Sequence, residues 1–327
     1  MTLSLFLAGC VVSAPHGDLD TGPAPLDTSP TSGSGTQPTE SPIDTDIEAE
    51  DTDTAAFDTG TDVAGPAPDY SQPGPYEVYE ESDSFAASCT LSYTTFVPLG
   101  ASPETLVVLS HGFARNRSVM REWAEHYASW GLAVVTPNLC HLSLLDVDQE
   151  ANGVDLASLA EGLAPGQPVL YMGHSAGGVA STMAALEDSD AQAVFGLDLT
   201  QSSDEGSVAA RSLGVGMWGL FADPERCNTD NNGLEVLEAA PISRGLHLLG
   251  ADHCDFENPT DLVCTLACAE GSRSSDSIRQ TIFGLSTAWL VWESGVDPQG
   301  ETWWTPGGYH YDELLRMGAF EEVDSSP

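Results

Sequence analysis

Lysine is absent from this 327-residue chain, and its nine basic side chains, all Arg, stand against 50 acidic ones. No basic residue precedes Arg115, so that stretch carries −18 of the −41 net charge and the remainder carries −23. Nucleic-acid binding draws on counterion release at clustered Lys or Arg, and a surface this negative repels phosphate, so DNA and RNA are excluded as partners. No uninterrupted apolar run reaches 18 residues, which removes a spanning helix. The hydrophobic fraction of 41% with only 18% charged residues suits a globular protein of one large or two small domains.

The chain opens MTLSLFLAGC, a short apolar run ending in small residues before Cys10. Two of the three parts of a secretory signal are present and the basic n-region is missing. Leu7-Ala8-Gly9-Cys10 resembles the lipobox of bacterial lipoproteins, which implies that residues 1–10 are a signal, with its true start upstream of Met1, and that Cys10 carries a lipid. Residues 11–76 are rich in Asp, Thr, Pro, Gly and Ser, with near-repeats such as Asp51-Thr52-Asp53-Thr54. Such a composition cannot bury enough apolar area to offset its ordering entropy, and like charges extend it. It reads as a flexible tether with an r.m.s. reach of roughly 45 Å, holding a domain of residues 77–327 away from a membrane face.

In that domain, apolar runs at 91–99, 105–109, 132–136, 169–172, 194–199, 215–222 and 246–249 read as strands. Several lack polar alternation, as strands buried on both faces should. Helical stretches lie between them. Val119, Trp123, His126, Tyr127 and Trp130 share one face with Ser118 as N-cap, residues 176–187 are rich in Ala, and residues 275–293 form a long apolar helix. Strand and helix alternating in this way predicts an α/β domain with a mostly parallel sheet covered on both faces.

The most informative string is Val169-Leu170-Tyr171-Met172-Gly173-His174-Ser175-Ala176-Gly177-Gly178. It places G-x-S-x-G between a strand and a helix, the setting of a nucleophile elbow, with Ser175 as nucleophile. The Ala176 N–H is the first oxyanion donor, and the second is the Phe113 N–H in the loop that closes the strand before His111-Gly112-Phe113. In this arrangement the acid and then the base follow the serine in the chain. Among the later histidines, His253 directly follows a strand and is the expected base, ahead of His247 inside a strand and His310 in the aromatic tail. Asp223, closing the 215–222 strand, is the expected acid, with Asp198 next and Glu225 third.

These motifs resemble the α/β-hydrolase superfamily, in particular chlorophyllase-like and cutinase-like polyester hydrolases of a dienelactone-hydrolase-like branch, over about Ser92 to Glu293. The resemblance implies the α/β-hydrolase fold and a serine carboxylic-ester hydrolase with no cofactor. Lipase, thioesterase or peptidase activity on the same fold, or a vestigial envelope binding protein, are the rival readings. Two departures concern the substrate: Ala176 stands where these branches often carry Met or Arg, and the tail with Trp303, Trp304, Tyr309 and Tyr311 has no counterpart there.

Apart from Cys10, six cysteines remain, and in an exported domain they are expected to form disulfides. Cys227 follows the expected acid and Cys254 the expected base, so a Cys227–Cys254 bridge is expected between the two loops, as in some polyester hydrolases, with Cys264 and Cys268 as alternative partners. Cys254, Cys264 and Cys268 lack C-x-x-C spacing, and no metal is expected. The expected setting is the cell envelope, lipid-anchored with the outer membrane favoured, or secretion from the cell, and the expected state a monomer. The −23 on the domain predicts that neutral or cationic esters are admitted ahead of anionic ones.

Overall fold

The apolar runs become the centre of a nine-stranded sheet. A computed structural model describes residues 66–143, 145–268 and 271–323; Cys10, with residues 1–65, lies outside them. In chain order the elements are β1 (Val78–Ala86), β2 (Thr90–Pro98), β3 (Leu106–Ser110), α1 (Arg121–Ser129), β4 (Ala133–Pro137), the short pair β5 (Leu142–Ser143) and β6 (Asp146–Val147), and α2 (Gln149–Leu163). There follow β7 (Val169–His174), α3 (Ala176–Glu187), β8 (Ala191–Leu197), α4 (Glu205–Ala210), β9 (Gly216–Phe221), α5 (Gly233–Ala239) and β10 (Ser243–Leu248). The chain then forms α6 (Leu262–Cys268), α7 (Ser275–Glu293), α8 (Tyr309–Arg316) and β11 (Phe320–Glu322).

The large sheet has the order β1-β2-β4-β3-β7-β8-β9-β10-β11. Its six middle strands, β4 to β10 in that order, run parallel, while β1, β2 and β11 make antiparallel pairings at the two edges. The domain is α/β, with a mostly parallel mixed sheet flanked by helices. Unbroken apolar strands follow from this: Val107 and Leu109 enter a core with α1 and α7, while Leu106 and Val108 enter a second core with α2, α3 and α5. β3 thus fills both cores at once, which alternation of apolar and polar residues would forbid.

The sequence missed β1, whose VYEESDSFA is exposed along most of its length and has no apolar period. It survives as an edge through its pairing with β2, and its three acidic side chains discourage a further strand from adding to it. Ser118 does not cap α1: Asn116 caps a 3-10 turn over Arg117–Met120 by accepting the Ser118 N–H at 2.9 Å, and α1 follows with Met120 at its N-cap and no side-chain cap bond.

One further expectation is corrected here. Residues 66–76 are not part of a tether. Tyr70 is fully buried, its hydroxyl donates to Asp297 Oδ2 at 2.7 Å, and its carbonyl accepts from His126 Nε2. In the aromatic tail Trp303, Trp304 and Tyr311 are buried while Tyr309 is exposed, and Trp304 Nε1 donates to the Leu285 carbonyl of α7 at 2.8 Å. Trp303 Nε1 and His310 Nε2 bond the carbonyls of Pro68 and Ala67, so the tail and the segment before β1 hold each other.

Cys89 and Cys140 form a disulfide across 51 residues, joining the β1–β2 turn to the loop after β4. A loop of that length corresponds to roughly 4 kcal/mol of lost unfolded-state entropy. Cys89→Ser/Cys140→Ser is therefore expected to lower the urea-unfolding free energy by about 2–4 kcal/mol; a change below about 0.5 kcal/mol, the level of an indifferent surface substitution, would show that the turn is held by other contacts.

Candidate active site

β7 ends at His174 and α3 begins at Ala176, leaving Ser175 alone in the turn with φ 54° and ψ −128°. A non-glycine residue with positive φ is strained, and the surrounding packing enforces the conformation. A Cβ on Gly173 would fall 2.3 Å from the Gly177 carbonyl oxygen, and one on Gly177 would fall 2.3 Å from the His111 carbonyl oxygen. The two glycines of the G-x-S-x-G string are thus required by close backbone approach. The Ser175 N–H donates to Leu197 O at 3.0 Å, which fastens the turn to the end of β8.

β8 is the next strand in the sheet, and its register pairs His174 with Leu197, so the residue after β8 lies beside the turn. That residue is Asp198, fully buried and with φ 44°. Its Oδ2 lies 2.5 Å from His253 Nδ1, and its Oδ1 accepts the Ala222 N–H at 2.9 Å. The partner of His253 is therefore Asp198. Asp223, the expected acid, lies elsewhere: its Oδ1 is 2.9 Å from His247 Nε2, its Oδ2 accepts the Gly250 N–H, and its side chain is 43% exposed. The physical reason is sheet order. Asp223 closes β9, one strand further from Ser175 than β8, and the end of β10 occupies it first.

His253 opens a 3-10 turn over His253–Phe256, which Asp252 caps by accepting from Cys254 and Asp255 N–H groups. Its own N–H donates to Glu225 Oε1 at 2.9 Å, and its carbonyl accepts from His174 Nε2 at 3.1 Å. Glu225, third among the expected acids, thus holds the backbone of the base. Burial pushes the His253 imidazolium down, but the hydrogen bond and charge of Asp198, with Glu225 and Glu257 adding to them, outweigh burial and leave it above the ordinary histidine value. Burial also pushes the Glu225 carboxyl up to about 7.

The other histidines near the turn are held neutral by burial, His174 well below its ordinary value and His111 at about 4. His111 Nδ1 donates to Gly112 O and its Nε2 accepts the Leu139 N–H. It thereby fixes the loop carrying Phe113, whose N–H donates to no acceptor among the described residues. The Ala176 N–H opens α3, where helix geometry supplies no partner.

Ser175, His253, Gly112 and Phe113 line one cavity of about 250 Å³, closed on another side by α6. Two disulfides clamp that helix. Cys254, next to His253, is bonded to Cys264, and Cys227, in the Glu225 loop, is bonded to Cys268. The expected Cys227–Cys254 bridge is corrected: both loops are tied to α6 and neither directly to the other. The sulfurs of Cys254, Cys264 and Cys268 lie within 4.8 Å of one another, and the two disulfides leave none of them as a thiolate for a metal.

A second Ser-His-Asp alignment lies on the surface, with Ser88 Oγ 2.8 Å from His141 Nε2 and His141 Nδ1 2.8 Å from Asp146 Oδ2. Ser88 has one hydroxyl hydrogen, and it is given to Asp155 Oδ2 at 2.5 Å. Its Oγ therefore accepts from His141 and is not deprotonated by it. The same three residue types make a clamp there, and the free hydroxyl hydrogen is what separates the two sites.

No family model matches the chain, and no curated protein matches it.

The protonation of His253 is coupled to Asp198. Because its folded pKa is raised above the unfolded value, protonated His253 contributes stability that is complete below about pH 6.5 and is lost as pH rises through the folded value. In Asp198→Asn the hydrogen bond and charge of Asp198 are lost while burial and the smaller pulls of Glu225 and Glu257 remain, so the NMR-detected His253 titration should move down, with the largest loss of stability on the acid side. Asp223→Asn should leave the His253 titration in place; the opposite pattern would reinstate Asp223 as its partner.

Proposed function

We propose that the chain is a serine carboxylic-ester hydrolase of the α/β-hydrolase fold, with Ser175 as nucleophile, His253 as general base and acid, and Asp198 as the orienting carboxylate. The observation that carries this reading is the strained Ser175 sharing a cavity with a buried His253 whose Nδ1 is given to a buried carboxylate. The order of sheet strands and the helices on both faces support the fold assignment.

Asp198 keeps the proton on Nδ1, which makes Nε2 the basic nitrogen. Ser175 Oγ attacks the ester carbonyl carbon and its proton passes to Nε2. The carbonyl oxygen becomes an oxyanion that accepts from the Phe113 and Ala176 N–H groups. The tetrahedral species collapses, the C–O bond to the alcohol breaks, and His253 returns the proton to the departing oxygen. Water, deprotonated by the same nitrogen, then attacks the acyl-serine and restores Ser175. Removing water from charge developing in the cavity strengthens each of these interactions.

Three disulfides support an oxidising compartment. The proposal's setting is accordingly outside the cytoplasm, in the cell envelope with Cys10 as lipid anchor and the outer membrane favoured, or secreted.

The test is hydrolysis of a p-nitrophenyl butyrate. Ser175→Ala should lower kcat by about 10³-fold or more with an unchanged far-UV spectrum, whereas Ser88→Ala, in the surface clamp, should stay within twofold of the parent, roughly the 0.5 kcal/mol range of an indifferent surface change. Activity surviving in Ser175→Ala, or lost in Ser88→Ala, would overturn the assignment.

A further inference from the structure

The loop that carries Phe113 continues through Ala114 into Arg115, and the Arg115 side chain lines the cavity beside Ser175 with only 14% exposure. Free, a guanidinium in that position would be a ready receptor for a carboxylate on the acyl group. It is not free. Nε donates to Glu257 Oε1 at 2.6 Å and Nη2 to Glu257 Oε2 at 2.7 Å, a bidentate pair, and Nη2 lies 2.9 Å from Asp261 Oδ2. Arg115 in the cavity wall is therefore paired with two carboxylates, Glu257 in the same wall and Asp261 behind it, outside the lining.

The two carboxylates have different duties. Glu257 is buried, and its N–H and the Asn258 N–H bond the carbonyls of Cys254 and Val119, so it belongs to the framework behind the base. Asp261 is half-exposed, and its Oδ1 accepts the Val263 and Cys264 N–H groups at 2.9 and 3.1 Å, starting α6. Arg115 and Glu257 alone would cancel. Asp261 is the surplus charge, and the N–H groups it accepts, with Arg115, hold its carboxyl below the ordinary value.

We infer that the Arg115–Glu257–Asp261 cluster selects substrates by charge, with Asp261 as the specificity-determining residue: it turns away esters whose acyl group ends in a carboxylate and admits neutral or cationic ones. This inference rests on the ester-hydrolase reading. The remaining lining on the α6 side, Val263 and Ala267 with two cystines, is uncharged and offers an anionic acyl group no substitute partner. Asp198 and Glu225, bonded to His253 behind the cavity, are themselves acceptors and offer an incoming carboxylate no donor.

The experiment compares kcat/KM for three p-nitrophenyl esters, the butyrate, the hemisuccinate and a 4-(trimethylammonio)butyrate, in the full chain and in two variants. Asp261→Asn keeps a competent helix cap, since Asn caps as well as Asp, and removes the surplus charge. Its hemisuccinate-to-butyrate ratio should rise about fivefold at low salt, the factor that ~1 kcal/mol of charge interaction produces, and its preference for the cationic ester should fall. Asp261→Glu, which restores the charge, should restore the parent ratios. High salt should shrink the differences, because Asp261 is half-exposed. Hydrolysis of butyrate with ratios unchanged in Asp261→Asn would overturn the charge-selection proposal and leave the hydrolase reading standing. Absence of hydrolysis of all three esters by the parent would overturn the hydrolase reading and this proposal together.

Discussion

The constraint on which the rest of the site depends is one buried charge. Asp198 has no exposure to solvent, and an ionised carboxylate taken out of water is tolerated only when it is paired and hydrogen-bonded. It has both kinds of support: the imidazole of His253 on one oxygen and the Ala222 N–H on the other, with the Asn228 amide near both. To make these bonds, the end of β8, the loop after β9 and the turn after β10 must converge. His253 is held on four sides, by Asp198 at the ring, by Glu225 at the N–H, by His174 at the carbonyl, and by the Cys254–Cys264 disulfide at the next residue. An imidazole fixed in this way has its position in the cavity it shares with Ser175 set by the fold alone.

α6 extends the same logic to the opposite wall. It is seven residues long and too short to persist on its own. Asp261 starts it, Arg115 holds Asp261, and two disulfides bind it to the loops of Glu225 and His253. A wall built this way cannot swing aside as a mobile lid does. Its Val263 lines the cavity, and with Leu262 and Leu266 it makes an exposed uncharged stretch in a strongly acidic protein. The carboxylates around the cavity are individually placed, Asp198 and Glu225 on His253 and Glu257 and Asp261 on Arg115.

Much of this was legible in the sequence, and the parts that were not share a cause. The β7–Ser175–α3 junction is local: strand, strained turn and helix are adjacent in the chain, and the glycines mark the close approaches. α3 and α7 fall within the bounds their apolar patterns set. The identity of the acid is a question of sheet order, and chain order does not contain it. Asp223 and Asp198 each close a strand, and only the adjacency of β7 and β8 separates them. One signal was available. Asp198 sits inside Phe195-Gly196-Leu197-Asp198-Leu199, an apolar run in which a carboxylate must be buried and therefore partnered, whereas Asp223 precedes Pro224 in an ordinary turn. The cysteine pairing failed for the same reason, since α6 intervenes between the two loops and its short LVCTLAC string gives no periodic pattern long enough to read as a helix.

The most direct test of the account is the identity of the carboxylate behind the base, measured as kcat/KM on one neutral ester for Asp198→Asn and Asp223→Asn side by side. Loss of the orienting carboxylate of such a triad lowers turnover by about 10⁴-fold, and the account predicts a loss of that order for Asp198→Asn, with Asp223→Asn remaining within a few-fold of the parent. A large loss in Asp223→Asn together with near-normal turnover in Asp198→Asn would contradict it.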